Sequence, residues 1–207
     1  MTARSGIVTI LSLLLIVIFT ACNRSGQVKQ TTKDQINTNV DNKFGGFSNQ
    51  VEWGEHLVTI SGCGDCHTPK KMTPEGPVPD TSLLLSGHPS DVPAPDFNRE
   101  EIESKGFVVT NDLTTWIGPW GISFAANLTP DETGIGSWSE EQFIRSIREG
   151  KFKGLENSRQ LLPPMPWQEL GRMSDGELKA VFAYLKSIKP IHNVVPPPLP
   201  PVSLKAN

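Results

Sequence analysis

Cys63, Cys66 and His67 carry the plainest chemistry in this chain, in the run Cys63-Gly64-Asp65-Cys66-His67. Two thiols three positions apart, followed at once by an imidazole, form the C-x-x-C-H pattern of covalent haem attachment. The thiols reach the two vinyl groups along one porphyrin edge, and the imidazole comes up under the iron as an axial ligand. Gly64 keeps the loop small where it passes the macrocycle. A zinc site needs about four ligands, commonly a second C-x-x-C or an H-x₃₋₅-H. The 207-residue chain has three Cys and neither pattern. A thioredoxin-like dithiol needs a surrounding βαβ pattern, and none is visible. The expectation is one haem c, covalent through Cys63 and Cys66.

An electron-carrying iron ordinarily takes a second protein ligand. The candidates are Met72, Met165, Met173, His56, His88 and His192. Met165 sits in Leu161-Leu162-Pro163-Pro164-Met165-Pro166-Trp167, where three prolines forbid a helix and stiffen the loop. A stiff loop presents a soft thioether with little entropy to lose. His88, in Leu84-Leu85-Ser86-Gly87-His88-Pro89, is the rival, and an open iron position is the third reading. Met72 lies too close to His67 to pass to the opposite face, and Met173 falls at the start of a helix where packing is the simpler role. His56 lies beside a helical core stripe, and His192 lies in a Pro-rich tail.

Three helices must position these residues. The first spans about Gln50 to Ser61, with Asn49 and Glu52 resembling a capping box. Its Trp53, Leu57 and Ile60 share a face, and it delivers the chain into Cys63. Gly54 inside it costs about 1 kcal/mol against Ala, which a close helix–helix approach would offset. The second spans about Glu140 to Arg148, capped by Ser139 with Gln142 and stopped at Gly150. The third spans about Asp175 to Ile188, capped by Ser174 with Glu177. Its Leu178, Val181, Phe182, Leu185 and Ile188 form one core stripe, expected to clamp the first helix near Gly54. Residues 68–126 between them are Pro- and Gly-rich, with a short helix expected around Glu100 to Ser104.

The remaining composition sets the compartment. Net charge is −3, or −4 once residues 1–21, whose one charged side chain is Arg4, are set aside. A mildly acidic body gives no case for nucleic acid. Ile7 to Phe19 is an apolar run of 13 residues, too short to span a bilayer and suited to a signal-peptide core. Phe19-Thr20-Ala21-Cys22 resembles a bacterial lipobox. It implies a signal peptide over 1–21, lipidation of Cys22 and anchoring in a bacterial envelope membrane, facing the periplasm or the outer surface; the alternatives are an uncleaved anchor or an ordinary signal peptide with a leftover Cys. Residues 22–47 are polar and read as a flexible tether with a reach of about 25–30 Å. The Pro-rich tail, 191–207, favours polyproline II and is expected to drape over the surface.

With these residues in view, the chain resembles the class I c-type cytochromes. It has C-x-x-C-H after an N-terminal helix, a Pro-flanked Met, and a closing helix with Tyr184-Leu185. The runs Asn127-Leu128-Thr129-Pro130-Asp131, Thr133-Gly134-Ile135-Gly136 and Trp138 are similar to those of cytochrome c subunits of periplasmic dehydrogenases. The resemblance covers about residues 50–190, discontinuously. It implies a mainly α, cytochrome c-like fold over 48–190, wrapped round one haem, with 68–126 as a long insertion. It implies His67 and Met165 as axial ligands, Asn127 to Pro130 as an extended wall of the haem pocket, and Trp138 or Trp167 near a propionate. It also implies a one-electron carrier working with redox partner proteins, and not an enzyme. The alternatives are a haem enzyme or sensor with an open distal site, or the electron-transfer subunit of a membrane dehydrogenase. The departures are a single C-x-x-C-H, where such subunits often carry several, and the 98 positions between His67 and Met165.

Overall fold

The computed structural model describes residues 42–202. The expected signal peptide, Cys22 and most of the expected tether lie outside the described residues. Helix α1 spans Gln50–Ile60, the short α2 spans Cys63–His67, α3 spans Arg99–Lys105, α4 spans Glu140–Arg148, α5 spans Trp167–Leu170 and α6 spans Asp175–Ser187. Two antiparallel hairpins complete the regular structure. Strand β1 (Lys70–Thr73) pairs with β2 (Gly76–Pro79), and β3 (Thr115–Gly118) pairs with β4 (Gly121–Phe124).

Local signals set the helix ends. Ser139 with Gln142 and Ser174 with Glu177 form full capping boxes on α4 and α6. Asn49 caps α1 by accepting from the N–H groups of Val51 and Glu52, while its amide donates to the Glu52 carboxylate instead of completing a box. The packing of α1 on α6 buries Leu57, Val58, Ala180, Val181 and Leu185, joined by Phe143 of α4. Each such side chain contributes about 1.5–3 kcal/mol on leaving water. Gly54 is what lets the two helices meet: a Cβ there would stand 1.9 Å from the Ala180 carbonyl oxygen. The expected clamp is present at the expected residue.

The expected tether reaches too far along the chain. Residues 42–47 are not a free leash: the Phe47 ring stacks on His56 at 4.8 Å, and Gly45 lies against the Trp53 indole. Aromatic burial against α1 outweighs the polarity of the segment before it.

The segment 68–126 has a small core of its own. Ile102 from α3, Ile117 from β3 and Ile122 from β4 pack with Ala94, Val109 and Phe124. The tail closes this core and is built into it, more than drape would require. Ile122 and Leu199 exchange backbone hydrogen bonds at 2.9 and 3.0 Å. The Glu103 carboxylate accepts from the Val202 N–H, and Arg99 donates to the Pro200 carbonyl. Asn193, 8% exposed, donates to the carbonyls of Ser86 and His88 and accepts from the Ser90 N–H. A boundary at 190 would cut through this brace.

Candidate haem site

The two thiols and the imidazole lie on one short helix. Gly62, in the left-handed region at φ 66°, turns the end of α1 directly into α2. Lys70 then closes α2 from its far end by donating to the carbonyls of Asp65 and Thr68. Lys71 pairs with Asp80 at 2.9 Å. Both lysines beside the motif therefore serve the local fold, and neither is a free charge held out for an acidic partner.

His67 is buried, and its Nδ1 lies 2.8 Å from the Ala126 carbonyl oxygen. A carbonyl can only accept, so Nδ1 carries the proton and Nε2 keeps its lone pair. Nε2 makes no hydrogen bond among the described residues, where no sealed side-chain nitrogen or oxygen lacks a partner. It is therefore not sealed from solvent. Burial is the largest influence on the ring and lowers its pKa, favouring the neutral, ligating form. The carbonyl comes from Ala126, 59 positions along the chain, and not from the hairpin that directly follows the motif. Pro79 is paired into that β1–β2 hairpin opposite Lys70.

Cys63 and Cys66 are free thiols, each half-buried. Burial pushes the Cys63 thiol up to about 11, and burial with the neighbouring Asp65 raises Cys66 as well. Thiol redox pairs work through depressed values, so this pair is set up otherwise. Among the described residues no three His, Cys, Asp or Glu side chains converge on one point, which leaves the motif without the further ligands zinc would require. Two protonated thiols, one neutral imidazole with an outward lone pair, and a small Gly64 fit covalent haem.

The second-ligand candidates separate sharply. His88 is 1% exposed and has both nitrogens engaged. Its Nδ1 meets the Thr114 and Thr115 hydroxyls at 2.8 and 2.9 Å, and its Nε2 meets the Val92 carbonyl at 2.8 Å. It has no lone pair to give. Met72 is 77% exposed on β1, and Met173 packs against the main core. His56 is exposed on α1 with its ring against Phe47, and His192 lies beside Asp131 at 3.4 Å. Met165 remains, half-buried in a loop that borders a cavity of about 450 Å³ with Leu161, Pro163, Pro164, Pro166 and Trp167. His67 and the thiols do not line that cavity.

The residues expected around the pocket divide in the same way. Trp167 lines the Met165 cavity. Trp138 packs against the main core. Asn127 is 4% exposed and its amide is wholly internal. It donates to Thr133 Oγ1 and the Ile191 carbonyl and accepts from the Thr129 N–H and hydroxyl. Its side chain fixes the turn and the tail, so its bearing on the site is through the neighbouring carbonyl of Ala126. The missed contributor is that carbonyl, which no side-chain pattern announces.

No family model matches the chain. It is 33% identical over 143 residues to the cytochrome c subunit of a quinone alcohol dehydrogenase from Gluconobacter oxydans, covering 68% of this chain and 22% of that protein. It is 37% identical over 79 residues to the gluconate 2-dehydrogenase cytochrome c subunit of Pantoea cypripedii, covering 38% of this chain and 16% of that protein. It is 35% identical over 75 residues to the fructose dehydrogenase cytochrome subunit of Gluconobacter japonicus, covering 35% and 15%. The chain thus spans less than a quarter of the length of these relatives. Their names support a c-type cytochrome. They are named as cytochrome subunits of dehydrogenases and not as catalytic ones, in agreement with an electron-transfer protein that is not itself an enzyme.

Proposed function

We propose that the chain is a monohaem c-type cytochrome of cytochrome c-like fold, a one-electron carrier with His67 and Met165 as axial ligands. The observation that carries this reading is the setting of His67. It directly follows two free thiols, its Nδ1 is tied to the Ala126 carbonyl, and its Nε2 is neither hydrogen-bonded nor sealed among the described residues. When bound, haem supplies one-electron exchange at its iron. Cys63 and Cys66 hold the group through thioether bonds. Ala126 fixes the tautomer of His67 and strengthens it as a donor. Met165 adds a soft sulfur that favours the ferrous state and raises the potential. The core around Leu57, Leu128 and Ile135 excludes water and acts in the same direction.

The likeness to dehydrogenase cytochrome subunits supports redox partner proteins as donor and acceptor, with a membrane dehydrogenase as the natural class of donor. The N-terminal pattern supports export to the periplasmic side and a lipid on Cys22. No helix among the described residues is long and apolar enough to cross a membrane. The test is expression with export and haem maturation, a haem-stained denaturing gel, and visible spectra of wild type and Met165→Ala in both oxidation states. The expected result is covalent stain in both, a low-spin ferric wild type, and loss of that ligation in the variant. A chain that matures without covalent stain overturns the haem assignment. An unchanged spectrum in Met165→Ala overturns the ligand assignment and favours another distal group or an open site.

A further inference from the structure

The long segment between the two ligand-bearing stretches touches both of them. Ser123, in β4, and Ala126, just past its end, stand three positions apart. The Ala126 carbonyl accepts from His67 Nδ1 at 2.8 Å. The Ser123 hydroxyl donates to the Pro163 carbonyl at 2.6 Å, two residues before Met165. That hydroxyl is buried, with the residue 7% exposed, and it also accepts from Trp120 Nε1 at 3.1 Å. Since the indole can only donate and the carbonyl can only accept, the serine proton points at Pro163.

The strand that carries these two groups is held on every side. It pairs with β3 from Thr115↔Phe124 to Gly118↔Gly121. Ile117 exchanges two hydrogen bonds with Val109 at 2.9 Å, and Ile122 exchanges two with Leu199. Gly121 admits the tail so closely that a Cβ there would stand 2.0 Å from the Leu199 carbonyl oxygen. Thr114, just before β3, accepts the Ala125 N–H at 2.8 Å on its carbonyl. By contrast, the backbone of the Met165 loop has few ties. The Leu161 N–H donates to the Gly150 carbonyl at 2.7 Å and the Met165 N–H reaches Leu162 at 3.3 Å. The Pro163 carbonyl has Ser123.

We infer that Ser123 is a positioning residue for Met165, and that the end of β4 is a rigid brace setting the imidazole side and the thioether side from one strand. This rests on Met165 as the distal ligand. The Ser123–Pro163 hydrogen bond is made while the loop is closed and must break when the loop swings Met165 away. Losing it favours the open loop by the worth of one neutral hydrogen bond, which is about a fivefold change in an equilibrium constant.

The readout is the affinity of the ferric, haem-loaded protein for imidazole, a ligand that binds iron only when Met165 lets go. Ser123→Ala is expected to keep its covalent haem and low-spin spectrum yet bind imidazole about fivefold more tightly. Ser123→Cys, nearly isosteric with a weak donor, is expected to shift the same way and serves if the alanine variant does not fold. Trp120→Phe removes the indole donor with part of the ring but keeps the Ser123 hydroxyl on Pro163, and is expected to leave the affinity at the wild-type value. Wild-type affinity in a folded Ser123→Ala or Ser123→Cys protein overturns the proposal, as does an equal shift in Trp120→Phe. Met165→Ala separates the two levels. If it changes the spectrum while the serine variants do nothing, only the brace fails; if it changes nothing, the ligand reading fails first.

Discussion

Replacing Gly54 by alanine sets two calculable effects against each other. Alanine gains about 1 kcal/mol of intrinsic helix propensity over glycine in a helix interior. The new Cβ, however, would sit 1.9 Å from the Ala180 carbonyl oxygen, 2.6 Å from its carbon and 2.8 Å from the Tyr184 Cβ. Ordinary contact begins near 3.4 Å, so α1 and α6 must part by about 1.5 Å at their crossing. The obstacle is backbone, which cannot rotate out of the way as a side chain end can. Overpacking of this kind costs up to about 3 kcal/mol. The net expectation is a loss of about 2 kcal/mol, or a Tm lower by about 4–8 °C for a chain of this size. Urea unfolding of the haem-loaded protein, followed by far-ultraviolet circular dichroism, reads this as a lower midpoint at unchanged slope. A Gly54→Ala protein as stable as wild type, or more stable, would refute the reasoning that this glycine exists for the crossing.

Two more outcomes follow from the geometry. His88→Ala leaves the Val92 carbonyl without its donor and opens a cavity beside Phe124, so stability is expected to fall by about 3 kcal/mol. The visible spectrum is expected to stay unchanged, and loss of low-spin ligation in a folded variant would restore His88 as a ligand. Asp80 and Asp131 are held below the usual aspartate range, Asp80 by the Ser82 hydroxyl and then Lys71, Asp131 by the hydroxyl and N–H of Thr133. A depressed carboxylate binds fewer protons folded than unfolded, so its stabilisation is complete above the unfolded value, about pH 4, and fades as pH falls through the folded one. Acid titration of stability should therefore steepen below about pH 4, and Asp131→Asn should flatten that limb; an unaltered acid limb would count against the assignment.

How much of this was legible depended on whether a side chain advertised its task. The C-x-x-C-H pattern is written in residue type and spacing, so Cys63, Cys66 and His67 could be singled out directly as the proposed attachment residues. Helices α4 and α6 announce themselves by capping boxes and apolar stripes, and α4 matches its expected span of Glu140–Arg148. Gly54 stood out because glycine is costly inside a helix unless something approaches it. Asn127 was read from a shared motif as a pocket residue, and what the motif does not announce is that its amide is consumed by Thr129, Thr133 and Ile191. The anchoring of 42–47 was hidden because Phe47 is one aromatic residue at the end of a polar run. The tail lies over the surface as expected, but polyproline propensity says nothing of the carbonyls it offers, and Pro200 and Leu199 are used through those.

The insertion is the largest case of the same rule. Read by composition, 68–126 is a loop-rich excess separating His67 from Met165. Besides the bonds of Lys70 and Gly87 to α2, it meets the proposed site through one backbone carbonyl, at Ala126, and one small hydroxyl, at Ser123. Neither has a sequence signature, since every residue has a carbonyl and serines are common on surfaces. What makes them effective is the rigidity of β4, built from Ile117, Ile122 and the returning tail. On the proposal made above, a separate small core beside the site sets both of its faces without supplying a ligand. The length of the segment then has a physical reason: a brace must be stiff in its own right before it can hold anything else, and stiffness needs a core.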